Sequence, residues 1–169
     1  MKKIKTITQL HKICNDFRKK GKNTVLVTGV FDVLHYEHIG LLCFARKKAD
    51  ALIVGVECDE NVRLFKGKKR PIFDFKQRSS VLEAMEPVDF IFKVPKIKKD
   101  NSNHPFYPEF YKKVTEQIGP DILATNIAQD SFWEEKKQRA KKLDIKFAAY
   151  RKKPKTSSSE AIFRLRAAR

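Results

Sequence analysis

Short apolar runs alternate along this chain with longer stretches whose apolar residues recur every three or four positions. Runs at 24–28 (Thr-Val-Leu-Val-Thr), 51–56 (Ala-Leu-Ile-Val-Gly-Val), 88–94, 121–124 and 146–150 are short and mostly apolar, which predicts five strands. Between them the spacing predicts helices. Leu10, Ile13, Cys14 and Phe17 mark one over 8–20, capped by Thr8 and closed by Gly21. Ile39, Leu41, Leu42, Phe44 and Ala45 mark a second over 38–48, and Asp59 is placed to cap a short helix over 60–65. Further helices are expected over 75–85, 109–118 and 133–143, and a last one from Ser157, which forms a capping-box pair with Glu160. Residues 66–71 read as a basic loop. Residues 95–108, with three prolines and a polar lysine–asparagine run, read as a long loop or an insertion.

Strands that are apolar throughout, each followed by a helix, describe a parallel sheet covered on both faces. The expected fold is therefore α/β: a Rossmann-like, doubly wound, five-stranded parallel sheet with helices on both faces. The length suits a single domain over 1–169, with 1–22 as an N-terminal helical segment. Ligands of such sheets sit at the carboxyl ends of the strands, beside the point where strand order reverses. That directs attention to the residues following 24–28 and 121–124.

Composition adds a bias toward anions. Charged residues make up 34% of the chain and the formal net charge is +17, a field that draws polyanions such as nucleotides and sugar phosphates. A nucleic-acid partner is not expected, because no basic stripe interleaved with aromatics and no helix-turn-helix pattern is present. No apolar stretch approaches the roughly 20 residues of a membrane span. The basic N-terminus has no apolar signal core behind it, and Cys14, Cys43 and Cys58 are odd in number and scattered. These features lead to the expectation of a cytoplasmic protein with reduced, mostly buried thiols.

The chemistry concentrates where the first strand ends. Thr28 and Gly29 close an apolar run, a short turn carries Val30, Phe31 and Asp32, and His35 and His38 follow at the start of a helix. A strand that passes through a glycine turn into a helix aims backbone N–H groups and the positive helix end at one place. Gly29 suits either a close backbone approach or an unusual φ. Two imidazoles three residues apart share a helical face and can donate to phosphate oxygens. A zinc site lacks a third ligand at a persuasive spacing, so no resident metal is expected.

Residues 28–38, Thr-Gly-Val-Phe-Asp-Val-Leu-His-Tyr-Glu-His, resemble the Gly-x-Phe-Asp-x-x-His-x-Gly-His signature of the cytidylyltransferase-like nucleotidyltransferases. The resemblance continues through Val54 to Arg63, the Lys66-Gly-Lys-Lys-Arg-Pro-Ile run, Gln77-Arg78, Val88-Asp89 and the Thr156 to Ile162 serine element. It is nearest the heptose-1-phosphate adenylyltransferase branch, with glycerol-3-phosphate cytidylyltransferase close behind. It implies transfer of a nucleoside monophosphate from ATP or CTP to a sugar- or polyol-phosphate, with release of pyrophosphate. It also implies His35, His38 and Lys66 as catalytic residues. Thr28, Gly29, Val30, Phe31, Ser157, Ser158 and Ser159 would bind nucleotide, and Arg63, Arg70 and Arg78 would clamp substrate phosphate. Mg2+ as cofactor and a homodimer complete the expectation.

Three departures stand out. Glu37 occupies the position of the signature glycine, where a carboxylate that filled the pocket would leave a nucleotide-binding module without turnover. The run Ala124 to Asp130 lacks the Lys-Gly-x-Asp of the heptose branch. The 95–108 stretch is long, and His104, Phe106 and Tyr107 within it read either as lid contacts or as exposed loop residues.

Overall fold

A computed structural model describes residues 3–98, 107–152 and 164. The elements run α1 (Ile7–Lys19), β1 (Thr24–Gly29), α2 (Tyr36–Arg46), β2 (Ala51–Glu57), α3 (Asp59–Lys66), α4 (Phe75–Glu83), β3 (Phe90–Val94), α5 (Pro108–Ile118), β4 (Ile122–Asn126), α6 (Trp133–Lys142) and β5 (Lys146–Tyr150). The five strands form one parallel sheet in the order β3-β2-β1-β4-β5. Chain entry is tied to the sheet edge: Ile4 bridges Ile91, with Lys5 N–H on the Ile91 carbonyl at 2.8 Å.

Side chains of the central strand divide between two cores. Val25 and Val27 face Leu41, Leu42 and Leu82 from α2 and α4, while Leu26 faces Leu10, Tyr111, Ile118 and Ala140 from α1, α5 and α6. This alternation is the period-two geometry of a strand buried on both sides, and it places helices on both faces as the apolar runs predicted.

Several expected boundaries shift, each for a local reason. Thr6, not Thr8, caps α1. Its hydroxyl accepts from Gln9 N–H at 3.2 Å and Gln9 Oε1 accepts from Thr6 N–H at 2.9 Å. Helix α2 begins at Tyr36 with His35 at its cap, which brings both histidines into the first turn. Cys58 holds the cap position of α3, so Asp59 is the first helical residue and its carboxylate is free to meet Arg78. Strand β3 starts at Phe90, because the Asp89 carboxylate turns back to accept from Leu52 N–H at 2.8 Å. The beginning of the 95–108 stretch is pinned: Asn61 donates to the Pro95 carbonyl and accepts from Ile97 N–H. His104, Phe106 and the helix expected after Ser157 lie outside the described residues, while Tyr107 caps α5 with φ of 46°. The cysteines are free; Cys14 and Cys58 are buried and Cys43 is exposed.

Candidate functional site

Strand order reverses between β1 and β4, and the helices that follow them, α2 and α6, lie on opposite faces of the sheet. The crevice this opens at the strands' carboxyl ends holds a cavity. Its walls come from Thr28 to Asp32 and His38 after β1, Glu57, Lys66 and Arg70 after β2, Tyr111 of α5, and Thr125 to Lys136 around β4 and α6.

The β1–α2 turn is built by close packing. A Cβ on Gly29 would lie 3.1 Å from the Phe31 ring, so the glycine serves a close approach rather than a positive φ. Phe31 itself takes the left-handed conformation, with φ of 51°, and its side chain is buried. Asp32 is buried too. Its carboxylate accepts from Ile72 and Phe73 N–H at 2.9 Å and pairs with Arg70 at 2.6 Å, which ties the turn to the basic loop.

The two imidazoles pack with centroids 3.9 Å apart and planes tilted by 43°. His38 Nδ1 accepts from the His35 backbone N–H at 3.4 Å, which leaves Nε2 as the proton-bearing nitrogen of a neutral ring. Burial, then the charges of His35 and Lys66, lowers the His38 pKa to about 4 against the opposing pull of Glu37. His38 therefore stays a neutral N–H donor at physiological pH. His35 Nδ1 contacts Glu37 Oε2 at 2.8 Å, and its Nε2 is buried without a hydrogen-bond partner. Glu37 is buried and, unlike His38, is not among the residues lining the cavity. The carboxylate that replaces the signature glycine is thus spent on its neighbour's ring.

The basic residues divide three ways. Lys66 lines the cavity at the end of α3, and desolvation followed by the charge of Arg70 lowers its pKa despite Asp32. Arg70 lines it as well, bound to Asp32. Arg63 is exposed and outside the lining. Arg78 is a different kind of residue from the phosphate clamp that the resemblance implied. Its side chain is fully buried and donates to the carbonyls of Phe73, Val30 and Glu57 and to Asp59 Oδ1, so it fastens the β1 and β2 ends together and is not among the residues lining the cavity. Ser157, Ser158 and Ser159 lie outside the described residues.

Sequence reasoning missed the opposite wall. Lys136 of α6 is buried, with Nζ 2.6 Å from Asp130 Oδ2 and 3.1 Å from the Thr28 carbonyl. Helix α6 thus brings an ammonium against the 124–130 run, which has no lysine of its own. Burial opposes charge on Asp130, but Lys136, Thr125 and the Phe132 N–H outweigh it and hold the carboxyl pKa below its ordinary value. Glu57, at the end of β2, is buried between Asn61 Nδ2 and the Tyr111 hydroxyl, each at 2.9 Å. Burial raises its pKa more than Asn61, Tyr111, Lys136 and Arg78 lower it. The available signal was a carboxylate ending an otherwise apolar strand. Among the described residues no three His, Cys, Asp or Glu side chains gather to hold a metal.

The family model described as cytidylyltransferase-like matches residues 26–164 of this chain. The chain belongs to the cytidylyltransferase-like family. Among similar proteins, the bifunctional protein HldE of Desulfatibacillum aliphaticivorans is 42% identical over 89 residues, covering 53% of this chain and 18% of the relative. HldE of Yersinia enterocolitica is 36% identical over 115 residues, covering 68% of this chain and 22% of the relative. The chain thus spans about a fifth of the length of these relatives. The crystal structure of a lipopolysaccharide core biosynthesis protein from Thermoplasma volcanium superposes with a TM-score of 0.56 at 29% identity, covering 78% of this chain and 96% of that one. A pantoate-beta-alanine ligase from Francisella tularensis shares the fold, with a TM-score of 0.64 at 18% identity over 92% of this chain and 68% of that one. No described helix of this cytidylyltransferase-like chain is long and apolar enough to cross a membrane.

Proposed function

We propose that this cytidylyltransferase-like chain is a working transferase that moves a nucleoside monophosphate from ATP or CTP to a sugar- or polyol-phosphate and releases pyrophosphate. One observation carries the reading: Glu37 leaves the cavity to His38 and holds His35 instead. That position favours turnover over the binding-module alternative, in which the carboxylate would fill the nucleotide site.

In the proposed reaction an acceptor phosphate oxygen attacks the α-phosphorus in line. The bond from that phosphorus to the bridging oxygen breaks, and the electron pair leaves with pyrophosphate. Such a reaction needs positioning and charge neutralisation more than a covalent nucleophile. Neutral His38 donates from Nε2 to an oxygen whose charge grows, and this donor needs no proton uptake during the reaction. Glu37 holds the His35 ring through Nδ1, and that ring packs beside His38 and steadies it. Lys66 and Arg70 meet phosphates from the cavity wall, the backbone of Thr28 to Phe31 lies along the nucleotide, and Ser157 to Ser159 are assigned to its terminal phosphates. No cluster of protein ligands for Mg2+ is present among the described residues, so in this reading magnesium arrives as part of the triphosphate substrate.

A screen of pyrophosphate release tests the proposal, with ATP, CTP, GTP and UTP each offered against a panel of sugar 1-phosphates and glycerol 3-phosphate. Release that depends on both nucleotide and acceptor is expected. Nucleotide binding without release from any pair would instead favour the binding module.

A further inference from the structure

The floor of the cavity carries a carboxylate that phosphate chemistry does not call for. Glu57 is only 5% exposed, yet it lines the same cavity as Lys66 and Arg70. A carboxyl group there supplies no positive charge to a phosphate, so its presence marks a part of the cavity suited to something else. Its two oxygens each accept one bond inside the protein, Oε1 from the Tyr111 hydroxyl and Oε2 from Asn61 Nδ2. A carboxylate offers about four acceptor sites, so these bonds fix its orientation and leave capacity toward the cavity. The walls around it are aromatic: Phe65 of α3, Tyr111 of α5, and Phe132 at the entrance to α6. Aromatic faces accept the C–H surface of a carbon skeleton, while a carboxylate accepts its hydroxyls.

We propose that Glu57 is the specificity-determining residue for the acceptor, receiving hydrogen bonds from the hydroxyl groups of a polyhydroxylated phosphate ester whose carbon skeleton packs between Phe65, Tyr111 and Phe132. This rests on the acceptor reading above and gives it a direction. The hydroxylated end enters toward Glu57, and the phosphate stays at Lys66 and Arg70, near His38. An amine-bearing head group fits less well, because the buried Lys136 ammonium lines the same cavity and its charge is felt at Glu57.

The test measures, by calorimetry, binding of glucose 1-phosphate, a heptose 1-phosphate, glycerol 3-phosphate, phosphoethanolamine and ethyl phosphate, and separately of ATP and CTP. Glu57→Gln keeps the size of the side chain, and its amide can still accept from Asn61 while donating to the Tyr111 oxygen. The variant should bind the preferred hydroxylated phosphate about tenfold weaker, as expected for losing a hydrogen-bond acceptor, with nucleotide affinity unchanged. Wild-type protein should bind the same hydroxylated phosphate about tenfold or more tighter than ethyl phosphate, a comparison that needs no variant. Several results would overturn the inference: equal acceptor affinity in Glu57→Gln, a loss shared equally with nucleotide, tighter binding of phosphoethanolamine, or no preference for hydroxyls over ethyl phosphate. Absence of pyrophosphate release, with Glu57-dependent acceptor binding intact, would sink the transferase reading alone.

Discussion

At the residue scale, Glu37 and His38 carry the account. A carboxylate in place of a glycine would be damaging if it occupied the nucleotide's space, but Glu37 is buried at 2.8 Å from His35 Nδ1. Restoring the signature with Glu37→Gly should therefore lower turnover, because the His35 ring loses the group that sets its tautomer. It should also reduce the melting temperature by about 2–4 °C, from the cost of a helical glycine. Steady-state kinetics and a melting curve on the same preparation check both, and a gain in turnover would reverse the assignment. His38 adds a pH signature. Its imidazole titrates near 6.5 when unfolded and about 4 when folded, so between those values the unfolded chain binds more protons. The stability it contributes is complete at neutral pH and is lost as pH falls through the folded value. Melting curves from about pH 7 to about pH 4.5 should fall more steeply for wild type than for His38→Asn.

At the scale of elements, the site depends on how the ends of β1 and β2 are held. Arg78 reaches from α4 to the carbonyls of Val30 and Glu57 and to Asp59, with its side chain fully enclosed. Arg78→Met should cost about 3 kcal/mol or more of folding stability, because it leaves buried acceptors and a charge uncompensated. Denaturant unfolding measures this, and a variant of normal stability with a raised acceptor KM would return Arg78 to a substrate role. The contrast with Arg70 shows where sequence reading stops. Both arginines belong to motif runs and both look like phosphate ligands on composition. Only the packing of α4 against the sheet decides that one is a tie and the other a wall of the cavity. The strands and the helices on both faces were legible because apolar runs and helical spacing are local signals. So was the β1–α2 turn, where glycine, histidines and strand end lie within one short stretch. Glu57, Tyr111 and Lys136 were not legible. They come from β2, α5 and α6, and only the strand order β3-β2-β1-β4-β5 brings their ends to one crevice. Cap positions slipped by one or two residues for a smaller reason: Thr6 and Thr8 are both plausible caps, and Gln9 selects Thr6.

At the scale of the whole molecule, a net charge of +17 surrounds a cavity whose floor holds a carboxylate. The long-range field attracts the phosphorylated ligands, and the local groups orient them. A nucleotide present at about 100 times its dissociation constant should add about 2.7 kcal/mol of stability. For a domain of this size that raises the melting temperature by roughly 5–10 °C. Comparing ATP with CTP in that assay identifies the donor, and no shift with any triphosphate would remove nucleotide binding from the account.

The most direct test follows pyrophosphate release by wild type and His38→Ala, side by side, with saturating donor and acceptor. Release by wild type is expected, with a loss of about a hundredfold or more in the variant under conditions where its melting curve shows it folded, as expected when a donor to a developing charge is removed. Equal rates in the two proteins would contradict it, and so would the absence of release from wild type with every donor and acceptor offered.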